Sequence, residues 1–334
     1  MDYIVLVAPF IVLTILVLGL ICILFKKIWI GAILLIVGLC FNFYTEALPF
    51  HINIKDKETN FKVFTYNIYS SSDYFKSIEK DPKEAFELIM KENADVVVIE
   101  EYYPDHCLAL KDSLLRFYPY LEYQKFHCSN AVFSKYPLSN WSELEINYED
   151  DALEEYKMRR AKDLDNLRRM EKFRYIASVT VNLPNDSIRL ITCHMASNHF
   201  EQARELMNDS IPLKQQTKTF LKCIEAGMLE REVEAKYILK EVRDYYAKGT
   251  KVCVLGDMND VSGGRVIRSL HVGDILRDGW WEKGLGMGLT FHAHKVMHFR
   301  IDHVLHTRNM KLEKIYVVPQ NISDHHPLVA EFDL

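Results

Sequence analysis

Between Tyr3 and Thr45 the chain carries only two charges, Lys26 and Lys27, and they split an apolar stretch into two runs. Residues 3–25 (YIVLVAPFIVLTILVLGLICILF) are 23 uncharged positions. As a helix at ~1.5 Å per residue they reach about 34 Å, enough to cross a hydrocarbon core of roughly 30 Å. Residues 28–45 (IWIGAILLIVGLCFNFYT) add 18 more, with Trp29 at one end and Phe41, Phe43 and Tyr44 at the other, where an interfacial aromatic belt lies. Pro9 and Gly19 are tolerable in such helices. A cleaved signal peptide is the plainer reading, but no basic segment precedes the first run and no A-x-A-like site follows it. The expectation is a transmembrane hairpin, with helices 3–25 and 28–45 inside a unit of residues 1–47. Lys26 and Lys27 place its turn in the cytoplasm, so everything after residue 48 lies outside it.

The remainder is a different material. Residues 1–60 hold four basic and four acidic side chains, so the other 274 carry 37 basic against 42 acidic, the whole of the net −5. That excludes disorder by composition and a strongly basic nucleic-acid-binding domain. It does not exclude a nuclease whose metal supplies the positive charge. Seven cysteines (22, 40, 107, 128, 193, 223 and 253) show no C-x-x-C and no zinc-ligand spacing; buried free thiols are the default.

Residues 48–60 read as a polar linker. Strand-like runs then alternate with helix-like ones. Strands are expected at 61–68, 95–99, 131–134, 175–181, 188–193, 251–255, 300–306 and 328–332, and a helix with an Asp-Pro start at 81–93. Two charged helical excursions, 149–172 and 201–247, interrupt this framework and are expected to flank the site's mouth or to face the bilayer. Helices between many strands around one core indicate layered α and β in a single catalytic domain, 61–334.

Several polar residues stand at the ends of these hydrophobic strands. Asn67 ends FKVFTYN, Glu100 and Glu101 end DVVVIEE, and His194 ends RLITCH. Asp257 and Asn259 follow KVCVLG, Asp302 lies in FRIDHVL, and Asp324 and His325 lie in ISDHHPL. Singly, each is an ordinary cap, turn or solvated loop. Together they are carboxylates, carboxamides and imidazoles with little Lys or Arg beside them, an oxygen-rich set that favours Mg²⁺ or Mn²⁺ over zinc. A hard cation with His and Asp beside it is the equipment for attack on a phosphate.

The ordered set TYN, D-x-x-x-x-E-E, AVFSKYPL, TCHM, GDMND, RIDHVL, SDHHPL resembles the endonuclease/exonuclease/phosphatase superfamily, the DNase I-like fold, over residues 61–334. The resemblance implies an α/β (α+β) four-layer α/β/β/α sandwich following the two-helix hairpin. It also implies roles. Asn67 would lie beside the metal and phosphate, Glu101 would be the main metal ligand, and Asp324 would make a second metal contact. Glu100 stands where the family has Gln, adding a carboxylate near the metal. His194 and Asn259 would hold phosphoryl oxygens, Asp257 would orient or deprotonate the attacking water, and His325 would do acid–base work oriented by Asp302. His326 falls at a variable position. A hydrophobic hairpin before such a domain resembles membrane-bound bacterial members, hence a multi-pass inner-membrane protein with its catalytic domain outside the cytoplasm.

The reaction so implied is metal-dependent hydrolysis of a phosphoester, nuclease-like, by in-line attack of an activated water. A phospholipid-headgroup hydrolase of the sphingomyelinase type is the alternative, and a non-catalytic, membrane-tethered binding protein is the reading from another class. The inositol 5-phosphatase pattern Trp-Cys-Asp-Arg is absent, the chain reading HFRIDHVL there. The Arg-rich stretch 159–169 is most cheaply a solvated helix face. Tyr102 and Tyr103 could stack on a base or a sugar, but core packing serves equally. Nucleic acid and lipid headgroup both remain open as substrates, with the bilayer as partner of residues 3–45.

Overall fold

The structure, a computed structural model, describes residues 2–51, 58–68, 82–124, 129–146, 175–197, 213–271, 273–292 and 298–334. Two helices open it, α1 (Asp2–Leu24) and α2 (Ile28–Thr45), packed against each other as a hairpin. The backbone turns at Lys26, whose φ is +61°. Close approach is possible because small residues face the seam: a Cβ on Gly31 would lie 2.6 Å from the Gly19 carbonyl oxygen.

Two six-stranded sheets follow. The first runs β11 (Lys311–Val317), β12 (Leu328–Asp333), β1 (Phe61–Asn67), β2 (Val96–Tyr102), β4 (Ser129–Ser134), β3 (Tyr120–Tyr123). The second runs β5 (Leu138–Glu143), β6 (Tyr175–Asn182), β7 (Ser187–His194), β8 (Lys251–Asp257), β10 (Asp302–Thr307), β9 (Leu276–Asp278). Among the described residues only β1–β2 and β7–β8 pair parallel, and the other neighbours are antiparallel.

Side chains alternate along each strand, so each sheet has an inner and an outer face. Val63, Val96, Val98, Leu190, Cys253, Leu255 and Val304 meet between the sheets. Phe64, Val97, Ile99 and Phe133 turn outward under α3 (Lys83–Glu92) and α4 (Leu108–Leu114). Ile191, Val252, Val254 and Leu305 turn outward under α5 (Leu213–Tyr246) and α6 (Arg265–Leu270). The result is the four-layer α/β/β/α sandwich that the resemblance implies. One further short helix, α7 (Gly279–Lys283), is capped by Asp278, which accepts the Trp280 N–H at 2.8 Å.

Two expectations change, and one is met over the residues described. Four strands that the hydrophobic pattern leaves out are present: β3, β5, β9 and β11. The excursion 201–247 is a continuous helix from Leu213, with Pro212 outside the described residues; the excursion 149–172 also lies outside them. Middle residues of α5 hold the chain after β7, Arg231 Nη1 donating to the Ala196 carbonyl at 2.7 Å and Glu234 Oε2 accepting the Ala196 N–H at 3.0 Å. Since Tyr246 lies near the start of β8, the first half of α5 continues past the His194 end of the sheet.

The second change concerns the linker. Residues 48–51 are packed, not free. Asn42 closes the end of α2 by donating from Nδ2 to the Leu48 carbonyl and accepting the Leu48 N–H, both at 2.8 Å. The Gly286 N–H donates to the Pro49 carbonyl at 2.9 Å, and the His51 N–H to the Gly284 carbonyl at 3.2 Å. Ala47 and Leu48 are buried with Ala8 and Val12 of α1, against Leu16, Phe41 and Met287. Composition does not report this joint, because much of it is held by backbone hydrogen bonds and by the Asn42 amide.

Gly256, one residue before the end of β8, has φ +126° and runs against β7 so closely that a Cβ would lie 2.1 Å from the Cys193 carbonyl oxygen. Gly256→Ala is therefore expected to destabilise the detergent-solubilised chain by ~2 kcal/mol or more. At ~2–4 °C per kcal/mol for a domain of this size, thermal unfolding should show a Tm at least about 4 °C lower.

Candidate active site

The inner-facing residues of the middle strands are apolar until the last one or two positions. On β1 the inner series is Phe61, Val63, Thr65, Asn67; on β7 it is Ile188, Leu190, Thr192, His194; on β8 it is Cys253, Leu255, Asp257. These strands end together, because Asn67 is in register with Glu100, and His194 with Asp257. Antiparallel β10 starts where β8 stops, so Asp302 pairs with Asp257. Threonines and an amide form a polar layer just beneath, Asn130 Nδ2 donating to Thr192 Oγ1 at 3.1 Å.

β2 solves a harder problem. Strand parity sends Glu100 inward with Val96 and Val98, and Glu101 would then face outward. The β2–β4 register slips by one residue between Ile99 and Tyr102, and Glu101 has φ +53°. That bulge turns Glu101 to the sheet end and sends Tyr102 into the outer core, where its ring packs edge-on against Tyr123 and Phe133. Tyr102 is thus a core residue, not a stacking platform. A left-handed backbone at a non-glycine residue carries strain that the surrounding sheet must hold.

Glu101 and Asp257 share the amide of Asn67, whose Nδ2 lies 3.3 Å from Glu101 Oε1 and 3.1 Å from Asp257 Oδ2. His194 Nε2 sits 3.8 Å from Glu101 Oε1 and 3.9 Å from Asp257 Oδ2. The Asn259 N–H donates to Asp257 Oδ1 at 2.8 Å, so both oxygens of this carboxylate are held. Asn259 has φ +49° and gives one Nδ2 hydrogen to the Met195 carbonyl at 2.9 Å. His325 Nδ1 donates to Asp302 Oδ2 at 2.9 Å, and its Nε2 faces Asp257 Oδ2 at 3.7 Å. Asp324 joins from beside His325, and the Ser323 hydroxyl donates to the Asn67 carbonyl at 2.8 Å.

All eight residues singled out in the sequence thus come to one end of the sandwich. Glu100 goes elsewhere: it is buried between the sheets and accepts a hydrogen bond from Thr65 Oγ1 at 2.5 Å. Burial, helped by Asp302 and Asp257, pushes its carboxyl well above the usual range, which favours the protonated form. Glu100 thus lies beneath the site and not among the groups that face it, and its protonated form would match a carboxamide in shape and charge.

Pattern reasoning misses the supports. Thr290 is fully buried, and its Oγ1 accepts the Asp302 N–H at 3.2 Å. The Phe291 ring lies 5.0 Å from the His325 ring, and the His292 and His326 rings stack at 4.0 Å. No spacing or composition signal marks Thr290, Phe291 or His292, because they reach the site through a loop; His326 stands in SDHHPL, at its variable position.

The electrostatics follow from the contacts. Burial raises the Asp257 carboxyl, and the His325 and His194 imidazoles only partly offset it. Burial also raises Asp302, but His325 and the Thr290 hydroxyl outweigh it and hold this carboxyl low. Burial, with Glu101 and Asp257, lifts Asp324 to about 6. His325 loses solvation too, yet Asp302, Asp257 and Asp324 pull it up to about 10. Ligand atoms of Asp257, Asp302 and His325 lie within 4.8 Å of one another, close enough for an ion. Asp302 already occupies His325 Nδ1, however, so this trio reads as a proton-holding chain.

No family model and no curated protein matches the chain. Solved structures do. A truncated TDP2 from Caenorhabditis elegans superposes with a TM-score of 0.55 at 15% identity, over 81% of this chain and 96% of that one. The 3′ phosphatase NExo from Neisseria, bound to a product DNA hairpin, gives 0.52 at 16%, over 82% and 100%. An endonuclease/exonuclease/phosphatase family protein from Bacteroides thetaiotaomicron gives 0.54 at 12%, over 83% and 100%. What these proteins share with this chain is the fold, the DNase I-like one.

A histidine raised above its unfolded value of about 6.5 stabilises the fold fully below that pH and loses the contribution as pH rises through its folded value. In EDTA, the stability gap between wild type and His325→Gln is expected to be widest near pH 6 and to close near pH 10. Denaturant titrations across that window check it; a gap that widens with pH would contradict the Asp302–His325 pairing.

Proposed function

We propose that this chain is a membrane-anchored, divalent-metal-dependent phosphoester hydrolase, nuclease-like in its chemistry, with Asn67, Glu101, His194, Asp257, Asn259, Asp302, Asp324 and His325 as its working residues. The observation that carries this reading is their convergence at one sheet end, with Asp257 held at both oxygens and His325 held by Asp302.

Mg²⁺ or Mn²⁺ fits the donor set. Burial and Asp302 raise the Asp257 carboxyl, burial with Glu101 and Asp257 raises Asp324, and among the described residues the cationic groups nearest Asp257 and Asp302 are imidazoles. A hard cation relieves that surplus of negative oxygen, and Glu101 with Asn67 and Asp324 would hold it. When bound, it supplies charge neutralisation at the phosphoryl group.

The chain's own groups supply the rest. Asp257, raised in pKa and steered by Asn67 and the Asn259 N–H, accepts a proton from the attacking water. His194 and the second Nδ2 hydrogen of Asn259 donate to non-bridging oxygens. His325 is protonated near pH 7; from Nε2 it stabilises the charge growing on the phosphoryl oxygens and gives a proton to the leaving oxygen as its P–O bond breaks, with Asp302 fixing its tautomer and tilt.

The anchor is α1 and α2. Residues 7–24 and 28–45 are long and apolar enough to cross a membrane, and fewer than a quarter of them are buried. Lys26 and Lys27 at the turn put the catalytic domain outside the cytoplasm, in a bacterial inner membrane. Protease added to intact spheroplasts is expected to cut the catalytic domain; protection until lysis would reverse this orientation.

The substrate class is open between two phosphodiesters. The DNA-bound neighbour favours nucleic acid by analogy of fold. The packed residues 46–51 favour a phospholipid headgroup, because they hold the site close to the hairpin. Full-length protein in nanodiscs is expected to hydrolyse bis(p-nitrophenyl) phosphate with Mg²⁺ or Mn²⁺, and His325→Ala or Asp257→Asn should each lose ~100-fold or more. Plasmid nicking set against headgroup release from vesicles separates the substrates. If wild type is as inert as His325→Ala across a panel of phosphoesters, the chain is a binding protein of this fold.

A further inference from the structure

The end of α2 is docked on the catalytic domain by contacts that leave little freedom. The Thr45 carbonyl lies against Gly263, where φ is +67° and a Cβ would sit 2.3 Å from that oxygen. Glu46 Oε2 is 4.0 Å from His271 Nδ1, and the Phe43 ring meets Trp281 edge-on at 6.5 Å. His51 Nε2 lies 2.9 Å from the Trp281 carbonyl, so the chain is held again after it leaves the helix.

Beside this joint the domain presents apolar side chains outward. Phe50 and Leu285 are partners in an antiparallel bridge and are 58% and 59% exposed. Phe43, on the last turn of α2, is 78% exposed, and Tyr44 is 54% exposed. The apolar surface of the hairpin thus continues without a break onto the catalytic domain. In a water-soluble protein two large exposed apolar residues side by side are a liability; next to a membrane span they lie where the interface is.

The joint is also close to the candidate site along two separate paths. Met287 packs in the base of the hairpin, and Phe291, four residues on, touches His325. Gly263 touches Thr45, and Asn259 stands four residues before it. Four residues of extended chain span at most about 14 Å. That is comparable to the headgroup layer on one side of a bilayer, roughly 5–8 Å, plus one side chain.

We propose that the catalytic domain rests on the bilayer through a collar of Phe50, Leu285 and Trp281 around the exit of α2, and that the candidate site is held at the phospholipid headgroup layer. This rests on the membrane-anchor reading and adds a partner surface on the catalytic domain itself: the zwitterionic or anionic phospholipid face of the leaflet from which α2 emerges. The domain then does not swing on a tether, and substrates reach it along the membrane plane as well as from solution.

The test is tryptophan quenching in full-length protein reconstituted into phosphatidylcholine–phosphatidylglycerol vesicles that carry a headgroup nitroxide. Trp29 reports the hairpin turn and Trp281 the collar. Two quenched components are expected, one lost in Trp29→Phe and the other in Trp281→Phe. The double variant Phe50→Ser/Leu285→Ser should cut the Trp281 component at least twofold, leave the Trp29 component intact, and keep the rate on soluble bis(p-nitrophenyl) phosphate within twofold. A Trp29 component without a Trp281 component overturns the collar and leaves the anchor standing. Loss of both overturns the anchor and the collar together. An unchanged Trp281 component in the double variant overturns the assignment to Phe50 and Leu285.

Discussion

Two sheets packed face to face have a dry middle, and an inward-pointing polar side chain is tolerated there only at an end. This constraint organises the molecule. Val63, Leu190 and Leu255 occupy the middle of their strands, Thr65 and Thr192 the next inner positions, and Asn67, His194 and Asp257 the last. Because parallel neighbours β1–β2 and β7–β8 keep the same direction, their ends coincide, and polar residues far apart in sequence become one cluster. Desolvation by the apolar layer below is also what moves the Asp257 and Asp324 carboxyls upward.

The same constraint explains what could be read from the sequence. Central strands are apolar on both faces, or nearly so, and all eight expected strands are present. The four missing from the expectation, β3, β5, β9 and β11, are the four edges of the two sheets. Edge strands are half-exposed and carry polar residues that keep other chains from pairing with them, as in LSNWSE and KLEKIYV. The eight candidate site residues were legible for the matching reason: a polar residue that ends an apolar run breaks the pattern visibly. Thr290 and Phe291, which reach the site from a loop, were not, and neither was Arg231, which holds Ala196 from a helix; no periodicity points from either at a partner on another element.

Glu100 and Glu101 show a limit of a different kind. Adjacent acids on a strand face opposite ways, and nothing in DVVVIEEYY announces a bulge. The left-handed backbone at Glu101 delivers one carboxyl to the site, while strand parity buries the other against Thr65. Burial favours the protonated form of Glu100, so the carboxyl groups that face the site are those of Glu101, Asp257, Asp302 and Asp324, with the His194 and His325 rings beside them.

Beneath the joint with α2 lies a second buried polar network that connects it to the site. Arg300 donates to Asp278 at 3.1 Å, reaches Ser262, and lies 3.2 Å from His303 Nδ1. His303 Nε2 meets the Asp260 carbonyl at 2.9 Å. With Arg300 beside it, Asp278 is ionised throughout the physiological range despite complete burial. Removing either partner would strand a buried charge, which costs far more than the pair itself contributes. The network ties Arg300, two residues before Asp302, to the turn 260–263 that follows Asp257 and Asn259 and that receives the Thr45 carbonyl. One buried network thus lies between the place where the chain leaves α2 and the strand ends that carry Asp257 and Asp302, the two carboxyl groups that flank His325.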